Sequence, residues 1–270
     1  MELFARPEIF HSPGGRISLF LGGAPAAPVF MVMMGFFLFR TKRSTASLVV
    51  RGGLLFGGGL LLNIGLNAHL LFRICLGEYS LNPWHYIFGV DILFLAGVGV
   101  AFIALFRPLL RRWLPLSFFF AMGFSFLTFV VPESGTPRWE YVTAFLWGKT
   151  SWSYFPLVPW LSWPLFGFFL GALLDRPIPK RVWFVGGGVC LAIFLLLFSF
   201  GFRISTELSD YYHQGPLYFL WGSCFVVLLM GFSSRVESIP GGAFLCWLGR
   251  HVTLAYVFQW LLIGNIATAL

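Results

Sequence analysis

The chain has 270 residues, of which 58% are hydrophobic, 20% aromatic and only 10% charged. Soluble domains carry about 25% charged residues, so this composition excludes an ordinary soluble domain and leaves no stretch for a separate one. The net charge of +8 does not point to nucleic acid, because the basic residues sit in short loops between apolar runs and not in one patch.

Residues 1–23 are too polar and too broken by Gly and Pro to span a bilayer, and they lack the basic start of a signal peptide. They read as an outer segment ahead of a helical bundle over 24–270. The first span is predicted from about Pro25 to Phe39, closed by Arg40, Lys42 and Arg43. The second runs from about Gly52 to Phe72, after Arg51. The third, Tyr86 to Phe106, is apolar except for Asp91 and ends in Arg107, Arg111 and Arg112. Its helix is about 30 Å long, enough to cross a bilayer core. The fourth is predicted from Trp113 to Val131.

A longer segment from Glu133 to Phe155 carries Trp139, Trp147, Trp152 and Tyr154, aromatics that suit a headgroup-level belt or a lid. Further spans follow at Pro156 to Leu174, Val182 to Phe202 and Gly215 to Phe232. Ala243 to Leu248 then lies along the interface, and His251 to about Ala269 forms the eighth span. The predicted fold is therefore an all-α polytopic bundle of about eight transmembrane spans.

Charge gives this weave a direction. Twelve of the 18 Lys and Arg residues fall in loops on one side, where only Asp175 and Glu237 of the ten acidic residues join them. The positive-inside rule makes that side cytoplasmic, which predicts an inner-membrane protein. The same alternation puts residue 1 outside. A helix ahead of the present start would carry it across; a short translocated tail is the other solution.

Polar residues inside the spans gather toward the outer end. Asn63 and Asn67 share a helix face, with His69 just beyond. His85 and Asp91 open the third span, Glu133 closes the fourth and His213 precedes the seventh. Tyr256 and Gln259 share a face of the eighth. A carboxylate in a span costs a few kcal/mol or more unless it is paired, protonated or wet. The pattern predicts an outward cavity in which an imidazole or carboxylate acts as base toward a hydroxyl or amine. The asparagines serve equally well as glue between helices, and Asp91 as a structural partner of Arg73.

Pro156, Pro159 and Pro164 in one span, and Pro25 and Pro28 in another, predict kinked entries beside that cavity. The runs Gly57–Gly59 and Gly186–Gly188 predict close helix packing. The cysteines Cys75, Cys190, Cys224 and Cys246 have no metal-like spacing, and no HExxH, Walker A, GxSxG or CxxC motif is present. No metal is expected.

Five stretches in order, GGAPAAPVFMVMMGFFLF, RGGLLF, VDILFLAGVGVAF, YFPLVPWLSWPLFGFFLGALL and WLGRHVTLAYVFQW, resemble bacterial membrane proteins related to heparan-α-glucosaminide N-acetyltransferase, within the transmembrane acyltransferase superfamily. The resemblance covers nearly the whole chain. It implies transfer of an acyl group, acetyl first among them, from cytoplasmic acetyl-CoA or another acyl-CoA to a sugar-like acceptor outside. His11 stands nearest the place of the family's catalytic His, and with His85 and Asp91 makes up the implied catalytic set. Asn63, Asn67, His69, Trp160 and Gln259 would hold the acceptor. Arg51, Arg107, Arg111 and Arg250 would draw the CoA phosphates. In the family a helix precedes the first span, and an Asp stands where this chain has Ala24. The implied partners are the lipid bilayer and a glycan-like acceptor, with no nucleic acid and with homo-oligomerisation left open. A transporter or flippase for a lipid-linked sugar, and an inactive truncated relative, are the alternative readings.

Overall fold

The computed structural model describes residues 12–132, 139–148, 150–233 and 240–269. Among them all regular secondary structure is helical, apart from one isolated bridge between Val90 and Ser153. Four helices are long and apolar enough to cross a membrane: Pro13–Arg40, Thr45–Leu66, Ile92–Arg112 and Pro216–Ser233. Lys180–Leu196 and Phe198–Thr206, bent by 63°, add a fifth crossing if counted as one. Leu114–Phe129, Leu157–Leu173 and Val252–Ile266 are apolar but shorter. These helices mark a membrane protein, with four or five long spans where eight were predicted.

The first helix starts earlier than its composition suggests. α1 (Pro13–Gly23) runs through a turn into α2 (Ala27–Arg40). Pro13 occupies the first turn, where its missing N–H costs nothing, and the Ser12 hydroxyl accepts from the Gly15 N–H. Backbone bonds from Ala24 to Phe20, Ala26 to Gly23 and Phe30 to Ala26 bridge the Pro25–Pro28 stretch, so those prolines interrupt the helix without ending it.

α3 (Thr45–Leu66) continues after a turn at Asn67 as α4 (Ala68–Cys75). The predicted third span is two pieces, α5 (Pro83–Ile87) and α6 (Ile92–Arg112). The break has a visible cause. The Val90 N–H donates to the Trp152 carbonyl, and the Val90 carbonyl accepts from Tyr154 and Phe155. With both of its backbone groups taken by a distant segment, Val90 cannot continue a helix, and Asp91 becomes the N-cap of α6.

α7 (Leu114–Phe126) ends in a 3₁₀ turn, and α8 (Glu140–Leu146) lies in the aromatic segment. α9 (Leu157–Trp160) and α10 (Ser162–Leu173) follow, with Val158 extended ahead of Pro159. α10 is the middle of the bundle: Trp163, Leu165 and Phe168 are fully buried. α11 (Lys180–Leu196) has no buried residue, whereas α12 (Phe198–Thr206), α13 (Leu208–Tyr212) and α14 (Pro216–Ser233) pack inward through Ile204, Tyr211, Tyr218 and Trp221. α15 (Gly242–Arg250) and α16 (Val252–Ala269) close the chain.

Small residues set the packing, as expected where lipid supplies no hydrophobic drive between helices. A Cβ on Gly167 would stand 1.9 Å from the Val32 carbonyl oxygen, and one on Gly171 2.9 Å from that of Phe36. Gly35 meets the Pro164 carbonyl in the same way, which locks α2 to α10. Gly52 and Gly97 face each other across α3 and α6, a Cβ on either standing 2.6 Å from the other's carbonyl oxygen. The glycine runs singled out by sequence behave otherwise. At Gly57, Gly58 and Gly186–Gly188 a Cβ would meet nothing within 4 Å, and of these runs only Gly59 packs closely, its Cβ position 3.3 Å from that of Leu93.

The last helix departs from the predicted weave. Gly264 packs on Leu66 and Gly65 on Leu261, while Asn265 donates to the Gly65 carbonyl and accepts from the His69 N–H. Leu66 lies roughly 32 Å along α3 and Leu261 roughly 14 Å along α16. α16 therefore starts partway up α3 and not at the basic end.

Candidate cleft at the loop end

Two polar neighbourhoods occupy the loop end of the bundle, with the segment Thr150–Tyr154 running between them. The first surrounds His85, whose ring stacks on Trp152 with centroids 5.1 Å apart. His85 Nε2 lies 3.7 Å from a Glu140 carboxylate oxygen and 3.3 Å from Asn82 Nδ2, and Asn82 also donates to the Tyr141 hydroxyl at 3.1 Å. A carboxylate beside an imidazole is the arrangement that orients a base. Here, however, the ring is covered on one face by Trp152, and His85 does not line the main cleft.

The second neighbourhood is a cleft of about 560 Å³ between that segment and α12, α13 and the start of α14. Thr150, Ser151, Ser153, Ser209, Asp210 and His213 supply its polar wall. Phe200, Ile204 and Leu208 supply an apolar one, and Tyr154, Tyr212 and Tyr218 add rings that carry hydroxyls. The local chain explains this lining. α13 is one short helix, so Asp210 and His213, three residues apart, both reach the same mouth. Tyr154 and Tyr212 meet across it with centroids 5.2 Å apart. The Thr150 hydroxyl is buried with no hydrogen-bond partner, as is the Trp147 indole N–H behind His213. The floor is fixed by buried phenols: Tyr211 donates to the Gly23 carbonyl at 2.8 Å, and Tyr218 bonds to Ser205. Burial, reinforced by Tyr218 and Tyr212, pushes the Tyr211 phenol well above its ordinary value, so it remains a protonated donor.

Apart from His213, the sequence-predicted residues are not gathered in this cleft. Asp91 accepts from the Tyr256 hydroxyl at 2.7 Å, tying α6 to α16, while Arg73 pairs with Glu78 at 3.1 Å and not with Asp91. Asn63 Nδ2 donates to the Ile87 and Gly89 carbonyls, and Asn67 Nδ2 to those of Asn63 and Tyr86. Both hold the broken entry to α6, which is the glue reading. The His69 Nδ1 is buried without a partner near α16. Trp160 is fully buried and donates to the Tyr212 carbonyl behind the cleft. Gln259 is exposed on α16. His11 and Glu133 lie outside the described residues.

At the basic end Arg107 donates to the Thr41 and Arg43 carbonyls, and Arg111 to that of Phe39. These are C-caps of α2, a sufficient reason for both arginines without a phosphate. Arg51 and Arg250 are exposed. All four cysteines are free, and no group of His, Cys, Asp or Glu able to hold a metal is present among the described residues.

Sequence reasoning picked out His213 but missed Thr150, Ser151, Ser153, Ser209 and Asp210. The signal was there as two short polar runs, TSWSY and SDYYH, between aromatics. Nothing in either run says that the two meet. No family model matches this chain, and no curated protein or solved structure matches it either.

Proposed function

We propose that the protein is a membrane-bound acyltransferase whose acceptor, a hydroxyl-rich sugar-like molecule, binds in the cleft at the loop end. The cleft's wall of Ser, Thr and Tyr hydroxyls carrying Asp210 and His213 is the observation behind this reading. His213 serves as base: an imidazole is the side chain suited to taking a proton near neutral pH. It removes the acceptor O–H proton, the oxygen forms the new C–O bond at the acyl carbon, and the acyl–sulfur bond to CoA breaks. The CoA sulfur leaves and takes up the proton. Asp210 orients the imidazole or holds a neighbouring acceptor hydroxyl. The donor, acetyl-CoA or another acyl-CoA, docks at the basic end, where Arg51 and Arg250 are exposed, and the reaction requires its thioester to be carried across the bundle to the cleft. Resemblance to the transmembrane acyltransferases supports the donor; the cleft supports the acceptor.

The test is acyl transfer in proteoliposomes supplied with labelled acetyl-CoA and monosaccharide acceptors. His213→Ala is expected to lower the rate by about 10²–10⁴-fold while the melting temperature stays put. An unchanged rate in that variant overturns the assignment. A transporter is the second reading, favoured by one observation: the cleft is lined by a span bent by 63°, and interrupted helices commonly line transport sites. Uptake of labelled sugar with no acyl-CoA present would select it.

A further inference from the structure

We infer that the acceptor is an amphiphile, a sugar head on a hydrocarbon tail, taken from the membrane boundary. This deepens the acceptor reading above and rests on it.

The first argument is depth. α11 has 17 residues, about 25 Å of rise, and starts with Lys180 and Arg181. Basic residues at a helix start anchor it at a headgroup boundary. With a hydrocarbon core of about 30 Å, a helix along the normal brings Leu197 close to the opposite boundary. There the chain bends by 63°, so the nine residues of α12 add only about 6 Å of depth. α12 runs nearly along the boundary plane. α14, 18 residues and about 27 Å long, starts at the same cleft with Pro216, which places Gly215 and Tyr218 at that level too. A cleft between these elements opens where headgroups meet chains.

The second argument is the lining. Phe200 and Ile204 are one turn apart on α12, and Leu208, the first residue of α13 after the extended Glu207, adds a third apolar side chain to the same wall. Across from it stand the hydroxyls of Thr150 and Ser151, with the Thr150 oxygen buried and unpaired, while that of Ser153 is taken by the Ala144 carbonyl. A free sugar would leave the apolar wall wet, and a plain hydrocarbon would leave the hydroxyls unmatched. Both walls are satisfied by one molecule with a polyhydroxylated head and an alkyl tail.

The experiment uses full-length protein held in amphipol, free of glycoside detergent, and calorimetric titration with methyl, butyl and hexyl β-glucosides. Affinity is expected to rise up to about fourfold per added methylene, as for apolar burial. Leu208→Ser is expected to flatten that rise. Ile204→Ala, a milder change, is expected to do so in part, and because partition into amphipol is the same for every variant, a difference in slope reports the cleft. A flat series in the wild-type protein, or a slope that neither substitution alters, overturns the amphiphile and leaves the sugar acceptor standing. Failure of every glucoside to bind overturns the acceptor cleft itself, and this inference with it.

Discussion

Asn63 shows how one side chain can look functional and be structural. It is 4% exposed, and its amide donates to two carbonyls, those of Ile87 and Gly89, which the broken entry to α6 leaves without helical partners. Asn63→Ala strands both, at about 1–3 kcal/mol for each buried group left unpaired. Asn63→Asp is expected to do no better, since a carboxylate offers no donor there. Thermal unfolding followed by tryptophan fluorescence should fall by several degrees in both variants, with glucoside affinity in the cleft unchanged. Lower affinity at an unchanged melting temperature would return Asn63 to a binding role. Spacing put Asn63 and Asn67 on one face correctly. What that face meets depends on Val90 being captured by Trp152 and Tyr154, about 60 residues further on, and no local pattern reports such a contact.

Glycines separate the legible from the hidden among elements. Apolar runs and their basic ends located α7, α14 and α15 to within a few residues, because hydrophobic length and charge are local properties. Contact is not local. Gly186–Gly188 is the more conspicuous run, yet α11 turns it outward, while the isolated Gly167 and Gly171 press on the α2 backbone. Gly167→Ala should force α2 and α10 apart, since a backbone oxygen 1.9 Å away cannot rotate aside. Overpacking of that kind costs about 1–3 kcal/mol or more. Gly187→Ala enters open space and gains up to about 1 kcal/mol of helix propensity. The expected order of melting temperatures is therefore Gly187→Ala at or above wild type and Gly167→Ala well below it. Equal melting would mean that α2 and α10 do not meet through these residues. The cleft was half legible for the same reason: TSWSY and SDYYH are readable as polar runs, but their meeting in one cleft is a tertiary contact.

For the molecule as a whole, sidedness decides which chemistry is open to the cleft. The basic loops cap one end through Arg107 and Arg111, and the cleft lies at the other. The positive-inside rule predicts that the basic end faces the cytoplasm and the cleft faces outward. The chain carries its own reporter, Cys75, exposed at the end of α4 on the cleft side. With Cys190, Cys224 and Cys246 replaced by Ser, a membrane-impermeant maleimide should label Cys75 in intact cells. A cysteine placed at Lys42, in the loop between α2 and α3, should react only after permeabilisation. That result requires a transferase to relay the acyl group across the bilayer, since donor and acceptor then lie on opposite sides. The reverse labelling would put the cleft on the side where CoA thioesters are made. Transfer would then need no relay, the bent α11–α12 span would have no transport to perform, and a soluble acyl-CoA could enter the cleft directly.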